Sequence, residues 1–213
     1  SELKDENNIR ILSLKSIPSI NIKKNVIFNY DDLLEQIKFL IIESEKNSQT
    51  KINTINLNIP LSDHKMSYYS SEISLKNEKI SKLHLNKLVN QSEYFDKEID
   101  YIDIFNNIIS NEIDNKNLSE IPIELFAEHI KVNFLKIKIK NKIINNFLNL
   151  FNKLNISIEN YIPSPISSSL SVLSYDEKKL GTICIDLGHS NTAIVIFDDN
   201  KCVYADSFQI GSN

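Results

Sequence analysis

The chain has 213 residues, of which only three are glycine and 28 are asparagine. The glycines are Gly181, Gly188 and Gly211, which excludes a glycine-rich phosphate loop or a dinucleotide-binding fingerprint from the first 180 positions. Asparagine tolerates the left-handed backbone conformation that glycine usually adopts, so we expect asparagine in such turns. The net charge of −4 gives no support to a nucleic-acid-binding surface, and no nucleic-acid partner is expected.

The remaining composition predicts a cytoplasmic protein with one sizeable core or two smaller ones. Hydrophobic residues make up 41% of the chain and charged residues 24%. Cys184 and Cys202 are the only cysteines and lack metal-ligand spacing, which favours a reducing compartment. No apolar run reaches the roughly 18 residues of a membrane span, and no signal peptide is recognisable. Because the chain starts without Met and stops without a closing element, we expect a fragment.

The first sixty residues alternate between strand and helix patterns. A short apolar alternation over 9–14 predicts a strand that ends near Pro18. Asp31 and Asp32 stand where a helix cap and first-turn acids belong, and the apolar spacing that follows predicts a helix over 31–46. The spacing then changes to alternation, which predicts a strand over 52–59.

Residues 51–140 are predicted to form a compact α+β unit of strands around one helix. The extended run 66–75 is expected to be the hairpin partner of the strand over 52–59. Ser81 can cap the one helix, and a further extended stretch is predicted over 102–109.

The clearest strand pattern lies between residues 130 and 139. Its apolar residues alternate in one phase up to Phe134 and in the opposite phase from Leu135, which predicts a bulge or a crossing between sheets. Lys136, Lys138 and Lys140 share one face of this strand. They are interpreted as an exposed face that resists aggregation, with an acidic docking partner as the alternative.

A helix and a β-meander are predicted for the last third of the chain. The helix covers 141–154, with Asn155 where a C-terminal glycine usually stands. A short strand over 156–161 and a second helix from Pro165 follow. Three further strands are predicted, over 181–187, 192–197 and 202–208.

One segment of this meander has the pattern of a phosphate-binding hairpin. Asp186 ends an apolar strand, the turn Gly188–Asn191 follows, and a second apolar strand leaves the turn. Such a turn can present backbone N–H groups and small hydroxyls to a phosphate, while the carboxylate holds a hydrated divalent cation. The simpler interpretation is a hairpin in which Asp186 only starts the turn.

The other candidate residues do not form a recognisable metal-binding or catalytic pattern. The four histidines have no paired metal-ligand spacing, and His64 and His84 are expected at the surface. No Ser-His-Asp, Cys-His or paired-carboxylate arrangement supports covalent or acid–base catalysis, so no catalytic residue is predicted.

The hairpin resembles the second phosphate-binding hairpin of the actin-like ATPases, in the version of the FtsA family of bacterial cell-division proteins. Ile162 to Leu173 is similar to that family's small-residue helix, and Asp176-Glu177 and Gly181 follow at the family's spacing. The resemblance covers nearly the whole chain from about residue 9, and most of its specificity lies in 160–200.

The resemblance implies an α/β fold with a partial actin-like, ribonuclease H-like core. It also implies an inserted α+β subdomain of the type called 1C or SHS2. The implied division is as follows: 1–50 as part of domain 1A, 51–140 as the inserted subdomain, 141–180 as the return to domain 1A, and 181–213 as the start of domain 2A.

The resemblance also implies a role and a ligand. Proteins of this family bind ATP, polymerise, and tether the FtsZ-containing division ring to the membrane. Their inserted subdomain serves filament contacts and the recruitment of later division proteins. The intact protein is therefore expected at the cytoplasmic face of the inner membrane at the division site, with membrane contact only through a C-terminal helix outside this chain.

The site residues follow from the same resemblance. Asp186 is expected to hold a hydrated magnesium ion, and the phosphate groups are expected at Gly188, His189, Ser190, Asn191 and Thr192. ATP and magnesium are cofactors of the intact protein in this view, and none is expected on this fragment. The intact protein would be at most a weak ATPase, and the fragment is not expected to be an enzyme.

The turn departs from the family pattern at three positions, which keeps other functions open. His189 and Ser190 replace the second and third glycines, and Asn191 replaces a threonine. A side chain at His189 could crowd a phosphate, or its ring could donate to one. The alternatives are a pilus-assembly protein similar to PilM, a partner-binding module without nucleotide, and a sugar kinase of the same superfamily.

Overall fold

A computed structural model of the chain describes residues 2–5, 8–23, 25–95 and 98–211. The chain divides into two compact units, 1–57 with 142–160 and 58–141 with 161–213. None of the helices in these described ranges is long and apolar enough to cross a membrane. The division into domains 1A, 1C and 2A stays a prediction, because contacts within one chain do not identify family domains.

Helices and strands are mixed along the chain in an α/β arrangement. In chain order they are β1 Glu2–Asp5, β2 Asn8–Arg10, β3 Ile22–Lys23, β4 Val26–Ile27, α1 Tyr30–Ser48, β5 Thr54–Ile59, β6 His64–Lys79, α2 Lys82–Phe95, β7 Tyr101–Ile113, β8 Lys116–Leu118, β9 Phe126–Lys140, α3 Asn141–Lys153, β10 Ser157–Pro163, α4 Ser164–Val172, α5 Tyr175–Leu180, β11 Thr182–Leu187, β12 Thr192–Asp198 and β13 Lys201–Phe208.

In the first unit, helix α1 begins one residue earlier than predicted. Asn29 is the capping residue, and its side-chain oxygen accepts a hydrogen bond from the Asp32 N–H at 3.2 Å. Asp31 and Asp32 lie in the first turn, as predicted, where carboxylates complement the positive end of the helix. The predicted helix over 31–46 is therefore confirmed, with Asn29 as its cap.

Helix α3 ends in a Schellman motif whose left-handed residue is an asparagine. The Ile156 N–H donates to the Phe151 carbonyl and the Asn155 N–H to the Asn152 carbonyl, each at 3.0 Å. Asn155 has φ 56°. The position that usually requires glycine is thus filled by asparagine, as predicted.

Asparagine and aspartate occupy most of the left-handed positions in the described part of the chain. Eleven non-glycine residues there have positive φ, against one glycine. The asparagines among them are Asn25, Asn77, Asn115, Asn155 and Asn200, and the aspartates are Asp63, Asp114 and Asp199. The expectation drawn from the composition is confirmed.

The second unit contains an antiparallel sheet with the order β6-β9-β7-β8. Its core lies between the sheet and α2, where Leu88 of the helix joins Ile130, Val132 and Phe134 of β9 in one buried cluster. These three β9 residues alternate along the strand and so share one face.

The hairpin predicted between 52–59 and 66–75 is wrong. Strand β6 pairs with β9, in a continuous register from His64–Ile139 to Ser74–His129, and β5 pairs with β10. Strand β5 has six residues, whereas β6 has 16 and β9 has 15. The longer partner satisfies many more backbone N–H and C=O groups, which explains the observed pairing.

The change of phase in β9 does not arise from a bulge in that strand. Its register with β6 is unbroken from Ile130 to Ile139, and the bulges lie in β7 instead, around Ile104 and Ile109. Leu135, like Phe134, is fully buried. The alternation changes phase because the second half of β9 is covered on both faces.

The interpretation of the β9 lysines as an exposed face is wrong for two of them. Lys136 has no exposed side chain, and Lys138 is 2% exposed. The Lys136 ammonium donates to the Ser92 carbonyl at 2.7 Å and lies 3.5 Å from the Asp103 carboxylate. A buried ammonium requires such partners, and here the chain itself supplies the acidic residue.

The left-handed turn after α3 gives a first prediction. Asn155→Ala should lower the free energy of unfolding by about 1 kcal/mol, because a β-carbon without a local polar group disfavours positive φ. Asn155→Gly should leave stability unchanged or raise it. Chemical denaturation of the three proteins measures the differences.

Asn146 provides the matched control within the same helix. It is exposed in the interior of α3, where Asn146→Ala should raise stability by up to about 0.7 kcal/mol through helix propensity. The same sign of change at both positions would contradict the left-handed geometry at Asn155.

Candidate functional site

The β-meander predicted near the end of the chain is confirmed, with the order β11-β12-β13 and antiparallel pairing. On one face Ala193, Val195 and Phe197 of β12 are buried, and α4 and α5 pack against this strand. Asp186 pairs with Ala193 and Leu187 with Thr192, so the connecting turn spans 188–191. The meander therefore places this turn at one end of a packed sheet.

A short helix that the sequence analysis missed leads into β11. Helix α5 begins in a capping box, in which Ser174 and Glu177 exchange hydrogen bonds between side chain and backbone. The Ser174 N–H that donates to the Glu177 carboxylate holds the pKa of this carboxyl below its usual range. Gly181 ends the helix at φ 95°, and the signal Ser-x-x-Glu was present in the sequence.

The turn between β11 and β12 is closed by a backbone hydrogen bond. The Gly188 N–H donates to the Asn191 carbonyl at 2.9 Å. A β-carbon at position 188 would lie 2.9 Å from the same carbonyl oxygen, closer than real side chains approach. Glycine is thus required here by the tightness of the turn.

The six predicted site residues lie together at this turn, and their environments differ. Asp186 and His189 are exposed, whereas Gly188, Ser190, Asn191 and Thr192 are half-buried. The Thr192 hydroxyl donates to the Ile210 carbonyl at 2.7 Å. The structure thus adds Ile210 to the neighbourhood of the turn, a residue that the sequence analysis did not assign.

The oxygen atoms of the turn fit a hydrated cation better than a directly bound one. No cluster of three His, Cys, Asp or Glu side chains is present in the part of the chain that the structure describes. Asp186 supplies one carboxylate, and the Asn191 side-chain oxygen is buried without a hydrogen-bond partner among those residues. The exposed carboxylate of Asp186, whose oxygens only accept hydrogen bonds, suits the water shell of Mg²⁺, which keeps several of its waters in proteins.

Strand β13 holds the meander against the four-stranded sheet through polar contacts. The Tyr68 hydroxyl donates to the Val203 carbonyl at 2.9 Å, and the Asn107 amide donates to the Cys202 carbonyl at 3.2 Å. Burial raises the pKa of the Tyr68 hydroxyl. These contacts fix β13 on the face of the sheet that carries Leu135.

Asp206 is the centre of a second group of contacts on β13. Its carboxylate accepts from the Ser207 N–H at 2.7 Å and from the Tyr204 hydroxyl at 3.1 Å. His64 Nε2 lies 2.9 Å from the same carboxylate. The His64 side chain is only 11% exposed, so its expected place at the surface is wrong.

Comparison with known proteins finds relatives that are named cell division protein FtsA. Cell division protein FtsA of Rhizobium meliloti strain 1021 is 20% identical over 206 residues, which are 97% of this chain and 47% of that protein. FtsA of Neisseria meningitidis serogroup B is 19% identical over 213 residues, 100% of this chain and 51% of that protein. The predicted resemblance to FtsA is confirmed. The chain spans about half the length of these FtsA proteins, and no protein-family model matches it.

A solved structure shows the same fold at lower identity. The PilM–PilN type IV pilus biogenesis complex contains a chain with a TM-score of 0.56 and 12% identity, which covers 92% of this chain and 53% of that one. The predicted α/β actin-like fold of this FtsA-like chain is confirmed. At this identity the likeness concerns the fold alone.

The two cysteines of the meander give a second prediction. Burial raises the pKa of the Cys202 thiol to about 12, whereas Cys184 is half-buried. Because the thiolate is the reactive form, iodoacetamide at pH 8 should label Cys184 at least tenfold faster than Cys202. Mass spectrometry of the native chain measures the ratio.

The single variants control for intrinsic reactivity. Cys184→Ser should leave almost no labelling in the native chain, and Cys202→Ser should leave it nearly unchanged. Both cysteines should react alike in denaturant. Equal native rates would contradict the burial of Cys202.

Proposed function

We propose that the chain is part of an FtsA-like cytoskeletal adaptor of bacterial cell division, which polymerises and links the division ring to the membrane. The observation that carries the proposal is the extent of the match. FtsA proteins from several bacteria each cover between 91% and 100% of this chain. At 19–20% identity, these matches extend over both compact units.

The turn between β11 and β12 is the proposed contact with nucleotide in the intact protein. Bound ATP·Mg²⁺ would supply the phosphate charge around which an actin-like fold opens and closes. Asp186 would hold the hydrated magnesium ion through its waters. Backbone N–H groups of the turn would donate to phosphate oxygens, as in other anion-binding turns.

The intact protein would also associate with itself through the inserted region. It would bind an FtsZ-like ring protein and later division proteins. Strand β6 is one of the two outer strands of the four-stranded sheet. An outer strand can pair with a further strand from another molecule, which supports a filament contact at this edge. Membrane contact is proposed only through a C-terminal helix outside this chain.

Two other functions have specific support. The structural likeness to the PilM chain covers 92% of this chain, and a pilus-assembly protein of the same fold stays as the alternative. His189 and Ser190 stand where the family has glycines, which favours a partner-binding module without nucleotide.

Substitution of Asp186 tests the nucleotide site. In the intact protein, Asp186→Asn should weaken Mg·ATP binding at least tenfold, because the neutral amide no longer attracts the hydrated cation. Titration calorimetry with and without magnesium measures the affinity. Asp176→Asn, an exposed carboxylate of α5 outside the turn, should leave affinity within twofold. No magnesium-dependent binding by the unsubstituted protein would instead support the module without nucleotide.

Depletion of the intact protein distinguishes division from pilus assembly. An FtsA-like adaptor should give long undivided cells, with a fluorescent fusion located at mid-cell. A PilM-like protein should leave division unchanged and remove surface pili. Microscopy of depleted cells decides between them, and normal division after full depletion would overturn the proposed function.

A further inference from the structure

The chain returns to the candidate turn eighteen residues after Thr192, at a segment that the resemblance does not assign to the site. The carbonyl of Ile210 accepts the Thr192 hydroxyl at 2.7 Å. The next residue, Gly211, lies against the backbone of the turn itself. These two residues, Ile210 and Gly211, form what we call the clasp.

Gly211 leaves no room for a side chain because the turn lies over its α-carbon. A β-carbon at position 211 would be closer than 3.0 Å to the carbonyl oxygen and carbon of His189 and to the α-carbon of Ser190. Real β-carbons do not make such approaches. All three atoms are backbone, so no flexible side chain could move aside.

The three atoms define which edge of the peptide faces the clasp. In a trans peptide the carbonyl oxygen and the following α-carbon lie on one side of the C–N bond, and the N–H lies on the other. Gly211 therefore contacts the oxygen edge of the His189–Ser190 peptide. The Ser190 N–H points away from Gly211 and has no hydrogen-bond partner among the described residues.

The contact of Thr192 with the clasp limits what its hydroxyl can do. A threonine hydroxyl has one proton to donate, and here it is donated to the Ile210 carbonyl. The same proton cannot be given to a phosphate oxygen at the same time. Thr192 thus acts on the turn through Ile210.

We propose that Ile210, Gly211 and Thr192 are positioning residues that fix the turn so that the Ser190 N–H is presented to a phosphate group. This inference rests on the proposed phosphate site. In the FtsA family pattern, glycines make the turn open to close approach, whereas here His189 and Ser190 carry side chains. The clasp sets the peptide orientation from the opposite side, so that a donor remains available.

The test compares Gly211→Ala with Gly181→Ala in the intact protein. Gly181 has φ 95°, so alanine is also strained there, but at the far end of β11 from the turn. Gly211→Ala should shift the Ser190 amide resonance and weaken the binding of magnesium pyrophosphate at least tenfold. Gly181→Ala should lower stability. It should leave the Ser190 resonance in place and the affinity within twofold of that of the unsubstituted protein.

Substitutions of Thr192 keep the test decisive if Gly211→Ala fails to fold. Thr192→Val removes the hydroxyl that donates to the Ile210 carbonyl. It should move the Ser190 resonance in the same direction as Gly211→Ala does and weaken pyrophosphate binding. Thr192→Ser keeps the hydroxyl and should restore both. Binding of pyrophosphate is read from the shift of the Ser190 amide during titration.

The outcomes separate this inference from the proposed function. An unchanged Ser190 resonance in both Gly211→Ala and Thr192→Val would overturn the clasp, whatever the chain binds. A displaced turn with unchanged pyrophosphate affinity would overturn the role of the Ser190 N–H. If the unsubstituted intact protein does not respond to magnesium pyrophosphate, the proposed phosphate site fails and the presentation of Ser190 to phosphate fails with it. The displaced resonance would then still establish the contact.

Discussion

The coverage of β9 on both faces is the constraint on which the second unit depends. One face carries Phe134 into the core beneath α2, and the other carries Leu135 towards β13. Tyr68 and Asn107 both pair with Leu135 across the sheet, and both donate to carbonyls of β13. Residues opposite each other on antiparallel strands share a face, so β9 sets where β13 lies. Because β13 pairs with β12, it also sets where the candidate turn lies.

The sequence predicted which segments are regular far better than which segments are neighbours. The helix over 31–46 and the three meander strands follow from side-chain spacing, which local geometry determines. The partner of β6 does not follow from spacing, because β5 and β9 both alternate. The prediction that Lys136 is exposed was wrong for the same reason. Alternation with apolar neighbours separates two faces, but it does not say that α2 and Asp103 cover the polar one.

The same distinction between local and distant contacts applies to the candidate site. Asp186 to Thr192 could be predicted because the strand, the turn and the next strand are contiguous. The clasp could not, because Ile210 reaches Thr192 only after β12 and β13 have formed and paired. Asp206 is similar, since its contact with His64 joins residues 142 positions apart. The capping box of α5 could have been predicted from the sequence, because Ser174 and Glu177 are only three residues apart.

The scarcity of glycine separates two requirements that are usually met by the same residue. Where the chain needs only a left-handed conformation, as at Asn155, asparagine is sufficient. Where a β-carbon would collide with backbone, asparagine is as unsuitable as alanine, because it carries the same β-carbon. Gly188 and Gly211 are of this second kind, and both collisions involve the backbone of 189–191. Glycine is thus required for steric reasons at the first residue of the turn, Gly188, and at Gly211, which lies against it, although the turn carries side chains at His189 and Ser190. Its backbone path is therefore constrained by its neighbours rather than by its own flexibility, which is the condition for presenting fixed N–H groups to an anion.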